Sequence, residues 1–388
     1  MISSGELSGE QYGADVARAL RRAHPDVHLL GMGGGAMRNA EVQLLVDCQS
    51  HGSVMGFLEA VPSLMKIRAA YRKLVNALDV DKPALLILID YPEFNLRLAR
   101  AAKQRGIKVL YYITPKLWAW RARRVKWFQR YVDRAAVIFP FEAQWFSSHG
   151  WNSAEFVGHP LVDSIPERRL ESRERDEYLT SLSLDSAKPV LAVFPGSRSQ
   201  EIARHVQPLS EALALLHHQD PDIQPVVCRA PSVPARSLEC FAGVPGTRVV
   251  ETAPVTLMRS ADAGLLKSGT TNLQAALAGL PFSMFYKASA TSAWIVRNFV
   301  SIREYSIVNL VRPGAVREIV QEQVTAEVLC TEAIRLIRDA AYRERVQQNL
   351  AGLREALSLK NSEHTGIKTD VPTRVAKIAI SLLGEGTQ

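Results

Sequence analysis

Asp90 directly follows Ala84–Ile89, an unbroken aliphatic run, within Asp90-Tyr-Pro-Glu-Phe-Asn95. A carboxylate at the carboxyl end of a buried parallel strand faces the ligand side of its sheet, where a general base would stand. Aspartate also caps helices well, and Phe94 onward reads as helical, so position alone leaves both roles open. Asp79-Val-Asp81 has the look of a metal-binding pair, but it precedes Pro83 and falls at the other end of the strand. It is not taken as a metal site, and no metal is expected. Three turns place glycines and hydroxyls at helix starts: Gly5-Glu-Leu-Ser-Gly-Glu10, Pro195-Gly-Ser-Arg-Ser-Gln-Glu201 and Ser268-Gly-Thr-Thr-Asn-Leu-Gln274. Glycine lets a backbone approach closely, and free amides with the helix dipole favour an anion. Arg198 adds a fork of donors that matches phosphate oxygens. Each turn alone reads as a cap. Two in the C-terminal half, each after an apolar strand, read as a diphosphate cradle. Gly31-Met-Gly-Gly-Gly-Ala36 nominally fits a dinucleotide pattern, yet it follows a second strand and reads as a tight turn.

The elements that must position these residues alternate strand with helix. Short apolar runs occur at His28–Leu30, Ala84–Ile89, Lys108–Ile113 and Ala135–Phe139. The scheme repeats at Val190–Phe194, Gln224–Cys228, Ala263–Leu266 and Phe282–Phe285. Such runs separated by helical segments predict parallel sheets with helices on both faces. The segment Asp163–Asp176 is dense in alternating charge and reads as a solvated helix or linker. The reading is therefore two Rossmann-like domains, 1–162 and 163–388, with their sheets facing across a cleft. Thr325–Leu357 is helical by period and fits against either domain. Before the first turn only Met1–Ser4 remain to build a strand, so that strand is stunted or the start was assigned late.

The 388 residues are 47% hydrophobic and 22% charged, an ordinary globular balance. No apolar run approaches the ~18 residues that span a bilayer, and the acidic start does not resemble a signal peptide. A soluble cytoplasmic chain is expected. Cys48, Cys228, Cys240 and Cys330 are scattered and read as core thiols of a reducing compartment. His24 and His28 flank Pro25 in a turn, which does not suit a shared zinc. Net charge is +8, and Arg97 to Arg134 holds twelve Lys/Arg against the single acid Asp133, with Trp118, Trp120 and Trp127 among them. Such a stretch attracts phosphate, but no nucleic-acid-binding motif accompanies it and no nucleic-acid partner is expected. Val54–Leu74 interleaves Met55, Phe57, Leu58, Val61, Leu64, Met65 and Ile67 with Lys66, Arg68, Arg72 and Lys73. That pattern suits an amphipathic core helix or an anionic membrane surface.

In this order the motifs resemble the lipid-A-disaccharide synthase family from the first residues to about residue 325. They run through Gly5–Glu10, Val54-Met-Gly-Phe-Leu-Glu59, Asp90–Asn95, Tyr112-Ile-Thr-Pro-Lys-Leu-Trp-Ala-Trp-Arg121 and Phe139-Pro-Phe-Glu142. Val157-Gly-His-Pro160, Pro195–Arg198 with Glu201, Ser268–Thr270 and Ile307-Val-Asn-Leu310 complete the series. The resemblance implies a GT-B fold of two Rossmann-like domains. It implies inverting transfer of 2,3-diacylglucosamine from its UDP derivative to 2,3-diacylglucosamine 1-phosphate, giving a β-1,6 disaccharide and UDP. Asp90 then becomes the base. The donor site takes Gly196, Ser197, Arg198, Glu201, Ser268, Gly269, Thr270, Thr271, Gln274 and Asn309. Ser8, Gly9, Glu10, Met55, Gly56, Trp120 and Arg121 belong to acceptor-side loops. The resemblance calls for no cofactor, places the protein on the inner-membrane surface, and raises the membrane reading of Val54–Leu74. Self-association stays open. The alternatives are a UDP-sugar epimerase on the same fold, a divergent UDP-binding paralogue, and a non-enzymatic phosphate or nucleic-acid binder. Departures from the family pattern are Gln274 in place of a glutamate, Glu10 in place of an aspartate, Thr114, Lys116 and the short first strand.

Overall fold

Strands that are apolar on both faces are satisfied only inside a sheet covered by helices on each side, and the chain builds two of these. The computed structural model describes residues 1–5, 7–48, 60–120, 122–289, 304–359 and 369–384. The described parts of Met1–Pro160 and Leu357–Gln388 form unit 1, and those of Leu161–Ala356 form unit 2.

Unit 1 runs β1 (Ile2–Ser4), α1 (Leu7–Ala23), β2 (Leu30–Gly33), α2 (Gly35–Asn39), β3 (Gln43–Asp47), α3 (Ala60–Val80) and β4 (Leu85–Ile89). It continues with α4 (Pro92–Lys103), β5 (Lys108–Tyr112), α5 (Leu117–Trp120), α6 (Val125–Tyr131), β6 (Arg134–Val137), α7 (Pro140–Ser148) and β7 (Ala154–Phe156). Its parallel strands lie in the order β3-β2-β1-β4-β5-β6-β7. Unit 2 opens with α8 (Pro160–Ser164), α9 (Ser172–Ser181), β8 (Val190–Phe194), α10 (Ser199–Gln219), β9 (Gln224–Cys228), β10 (Arg248–Val250) and α11 (Pro254–Ser260). Then come β11 (Ala263–Lys267), α12 (Thr270–Leu277), β12 (Phe282–Tyr286), α13 (Ile307–Val311), β13 (Glu318–Val320), α14 (Ala326–Arg338), α15 (Ala340–Ala351) and α16 (Leu353–Leu357). Its parallel order is β10-β9-β8-β11-β12-β13.

The last helix, α17 (Val371–Gly384), corrects the expected division. The sequence pattern puts it in the second domain with everything after residue 162, but it packs on α1 in unit 1. Arg374 on α17 donates to the Val157 carbonyl at 3.1 Å, and the His159 amide donates to the Leu357 carbonyl at 2.9 Å. Chain that leaves unit 1 thus returns to it.

The short β1 is real and central. It pairs with β2 on one side and β4 on the other, and all three of its residues are buried. Ser3 compensates for its polarity by donating to Asn95 Oδ1 at 2.8 Å. Among the cysteines, Cys228 and Cys330 are buried, Cys48 is half-buried and all four are free. Cys240 is exposed, which corrects its expected place in the core.

Candidate active site

In both sheets the strand order reverses beside the first strand, placing β1 next to β4 and β8 next to β11. Loops leaving the carboxyl ends of such neighbours diverge and open a crevice for a ligand. Turns singled out from the sequence leave these four strands: Ser4–Gly9, Asp90–Tyr91, Pro195–Arg198 and Ser268–Gly269.

At the edge of unit 1 the backbone is strained. Asp90 and Tyr91 have φ of +48° and +49°, and Ile113, one strand over, has +58°. Side chains with a Cβ rarely adopt this region, least of all a β-branched isoleucine, and such outliers gather at functional sites. Neighbours hold them in place. Asn95, fully buried, donates from Nδ2 to the Asp90 carbonyl at 2.8 Å and to the Ile89 carbonyl at 3.1 Å. The Tyr111 hydroxyl donates to the same Asp90 carbonyl at 2.7 Å. Burial, and then the charges of Asp90 and Glu93, push the Tyr111 phenol well up, so it stays a donor. Pro92 at the first position of α4 needs no donor partner there. Gly5 admits the Tyr91 ring, for a Cβ at Gly5 would stand 2.2 Å from a ring carbon.

A second acid organises the next loop. Glu142, 1% exposed, accepts from Trp118 Nε1 at 3.1 Å, Thr114 Oγ1 at 3.4 Å, and the Ile138 and Phe139 amides at 3.2 and 3.0 Å. Burial pushes its carboxyl up to about 7 against the pull of these donors. It ties Phe139-Pro-Phe-Glu142 to the Trp-rich loop. Thr114 therefore has a structural partner, while Lys116 is exposed. Glu10 uses its extra methylene to accept from the Ala36 amide at 2.5 Å, fastening α1 to the start of α2.

The edge of unit 2 is built from amides and cations. Gly196 has φ of +125°, open to glycine and hostile to other residues. Ser197 and Arg198 lie exposed beyond it. Glu201, in the first turn of α10, takes Lys267 Nζ at 2.8 Å and Arg198 Nη1 at 3.8 Å. His205, fully buried on α10, joins two loops: Nδ1–H donates to the Pro195 carbonyl at 2.9 Å, and Nε2 accepts from the Lys287 amide at 3.1 Å. Desolvation lowers its pKa, which suits this neutral tautomer. Around α12, Asn272 donates to the Lys267 carbonyl at 3.1 Å, and Ser268 Oγ donates to the Tyr305 carbonyl at 2.9 Å. Gly269 and Thr270 are exposed at the helix start, with Thr271 half-buried behind them. Gln274, one turn on, is half-buried and makes no side-chain hydrogen bond among the described residues.

Asn309 is held within its own segment. It is 3% exposed; Nδ2 donates to the Val316 carbonyl and to Glu318, each at 2.9 Å, and Oδ1 accepts from the Val316 amide at 3.0 Å. Its amide is engaged in ordering its own segment. Met55, Gly56 and Arg121 lie outside the described residues, as do the side chains of Ser8 and Trp120. Gly9 is buried under Ser4. Asn95, Tyr111, His205 and Lys267 escaped the sequence reading. For Lys267 a signal exists: a lysine ending an otherwise apolar strand, directly before Ser268-Gly269.

Comparison with known proteins accords with this arrangement. Solved structures that share the fold include an S. aureus MnaA–UDP co-structure (TM-score 0.64, 12% identity, covering 98% of this chain and 94% of that one). The calicheamicin glycosyltransferase CalG4 is another (TM-score 0.59, 15% identity, 100% and 98% covered). Both units together therefore match the GT-B fold. Among curated proteins, the lipid-A-disaccharide synthase of Trichlorobacter lovleyi is 39% identical over 361 residues, 92% of each chain. That of Geobacter sulfurreducens is 37% identical over 388 residues, 99% of this chain and 97% of its own. The family model described as lipid-A-disaccharide synthetase matches residues 1–367, across both switch points and all four turns. The chain belongs to the lipid-A-disaccharide synthase family of glycosyltransferases.

Proposed function

We propose that the enzyme moves a 2,3-diacylglucosamine unit from its UDP derivative to 2,3-diacylglucosamine 1-phosphate. The acceptor 6-hydroxyl attacks the anomeric carbon, the bond from that carbon to the diphosphate oxygen breaks, and the hydroxyl proton passes to Asp90. Inversion yields a β-1,6 disaccharide and UDP. The observation that carries this reading is the strained Asp90–Tyr91 pair, which presents a carboxylate at the end of a central strand. General-base catalysis needs a fixed acceptor for the proton, and backbone held at both the Asp90 carbonyl and the Ile89 carbonyl supplies it. In unit 2, the first amides of α12 and the cations beside Gly196 would stabilise the departing diphosphate.

Both substrates carry acyl chains, so the reading includes work at the cytoplasmic face of the inner membrane. No helix among the described residues is long and apolar enough to cross a membrane. What supports a peripheral contact is α3, where Met65, Lys66, Ile67, Arg68 and Ala69 are exposed in succession. Met65 is 66% exposed and Ile67 39%, so two large apolar side chains alternate with Lys66 and Arg68 on this run. Residues 54–59 of the amphipathic stretch lie outside the described residues, as do the side chains of 60–64. The basic stretch is partly neutralised: Arg105 pairs with Asp79, Lys103 with Asp133 and Arg124 with Glu93. Asp79 is thereby engaged by a guanidinium. Arg97, Arg100, Arg123, Lys126 and Arg130 stay exposed, as does Trp127, a composition suited to phosphate-rich headgroups.

The test is disaccharide formation in mixed micelles by wild type and Asp90→Asn. Product from wild type that nearly vanishes in the variant supports reaction and base together. Product that survives the substitution removes Asp90 from the mechanism. A folded wild type that makes none overturns the substrate assignment.

A further inference from the structure

Lys267 ends β11, four residues of which are buried and apolar or glycine. Burying the stem of a lysine at such a place costs hydration and rotamer freedom, which the site must offset. Nζ donates to Glu201 Oε1 at 2.8 Å and lies 5.6 Å over the Tyr286 ring, with the side chain 17% exposed. It also stands between the two glycine turns. Nζ is 3.7 Å from where a Cβ on Gly269 would be, and Cδ is 3.7 Å from the matching point at Gly196. An ammonium has three donors, and Glu201 takes one of them. Glu201 Oε2, buried beside the Gly196 turn, has no hydrogen-bond partner among the described residues. The pair is thus more than two charges cancelling. The carboxylate is buried behind, and the ammonium is presented to both turns.

We propose that Lys267 is a diphosphate-binding residue, whose two remaining N–H groups donate to phosphate oxygens of a nucleoside diphosphate lying across the two turns. Glu201 keeps the third N–H and fixes the ammonium before the ligand arrives. Arg198 offers a contrast: its side chain is 63% exposed, so a ligand must order it. A cation already in position loses little entropy on binding and needs no rearrangement as negative charge builds on the leaving group. This inference rests on reading unit 2 as the donor-binding unit.

The experiment is calorimetric titration of the full chain with UDP and with uridine as the phosphate-free probe. It compares wild type, Lys267→Met, and Lys267→Met combined with Glu201→Gln. The double variant removes the carboxylate that the single one strands, so a folding defect in the single variant does not decide the outcome. Expected is a loss of UDP affinity of about ten- to hundredfold in the double variant. Uridine binding should change less than about twofold, and the salt dependence of UDP binding should flatten. UDP affinity equal to wild type, or proportional losses for UDP and uridine, overturns the proposal and leaves a purely structural ion pair. Wild type that binds no UDP at all overturns the donor-unit reading beneath it.

Discussion

At the switch point of unit 1, Asp90 and Tyr91 carry strained backbones around one carboxylate, with Ile113 strained on the next strand. At that of unit 2 the left-handed residue is a glycine, and the charged groups that gather are Arg198, Lys267 and their shared acid Glu201. Two edges of the same topology have diverged in backbone strain and in charge. A group that takes a proton must be fixed in one place, and unit 1 holds Asp90, the proposed base, by hydrogen-bonding the carbonyls of a strained turn. A diphosphate is large, charged and mobile, and on the proposed reading unit 2 would meet it with amides, cations and room for close approach. In the proposed reaction, strain would support the reacting atom and positive potential the leaving group.

The sharpest way to break this comparison is Asp90→Asn. It should lower kcat by about 10²–10⁴-fold while UDP affinity stays within about twofold, read by turnover and calorimetry. Equal losses in both would mean that the two edges do not divide the labour. Next comes pH. Glu142 has a folded pKa of about 7, above its ordinary 4.5. A raised carboxyl stabilises the fold fully below the unfolded pKa, and that contribution is lost as pH rises through about 7. Wild type should therefore lose on the order of 3 kcal/mol between pH 4.5 and pH 8 relative to Glu142→Gln, measured by urea unfolding. A parallel pair of curves would show that the four donors hold the carboxyl ionised throughout. Gly196→Ala tests the other edge: at φ of +125° a methyl is strained and meets Glu201 Oε2 at 3.2 Å. UDP affinity should fall about tenfold with kcat at saturating donor little changed. Smallest is Gln274→Glu, expected to tighten UDP binding by about threefold through a charge-assisted bond to a ribose hydroxyl. No gain would place Gln274 away from the sugar.

The central strands were legible because they are buried on both faces and need continuous apolar runs. β8 and β9 begin and end where the pattern puts them, and β4 differs by one residue. The strands that escaped, β3, β7, β10 and β13, lie at sheet edges, and each is short and only partly buried. Half-exposed strands of three to five residues carry no period strong enough to read. The turns could be found from glycine and hydroxyl residues. The left-handed conformations at Asp90, Tyr91 and Ile113 could not, since tyrosine and isoleucine do not favour them and tertiary contacts impose them. Asn309 stands among the donor contacts by motif, and its amide orders its own segment. A motif shows that a residue is required without showing whether it faces the ligand or the scaffold.

The return of α17 to α1 also fixes an order of assembly. Unit 2 is a continuous stretch of chain, Leu161–Ala356, whereas unit 1 is interrupted by it. During synthesis from the amino end, unit 2 has its whole sequence available while unit 1 still lacks the helix that donates to Val157. The unit that carries Asp90 starts first and finishes last, so its sheet gains α17 only once the whole of unit 2 has been synthesised.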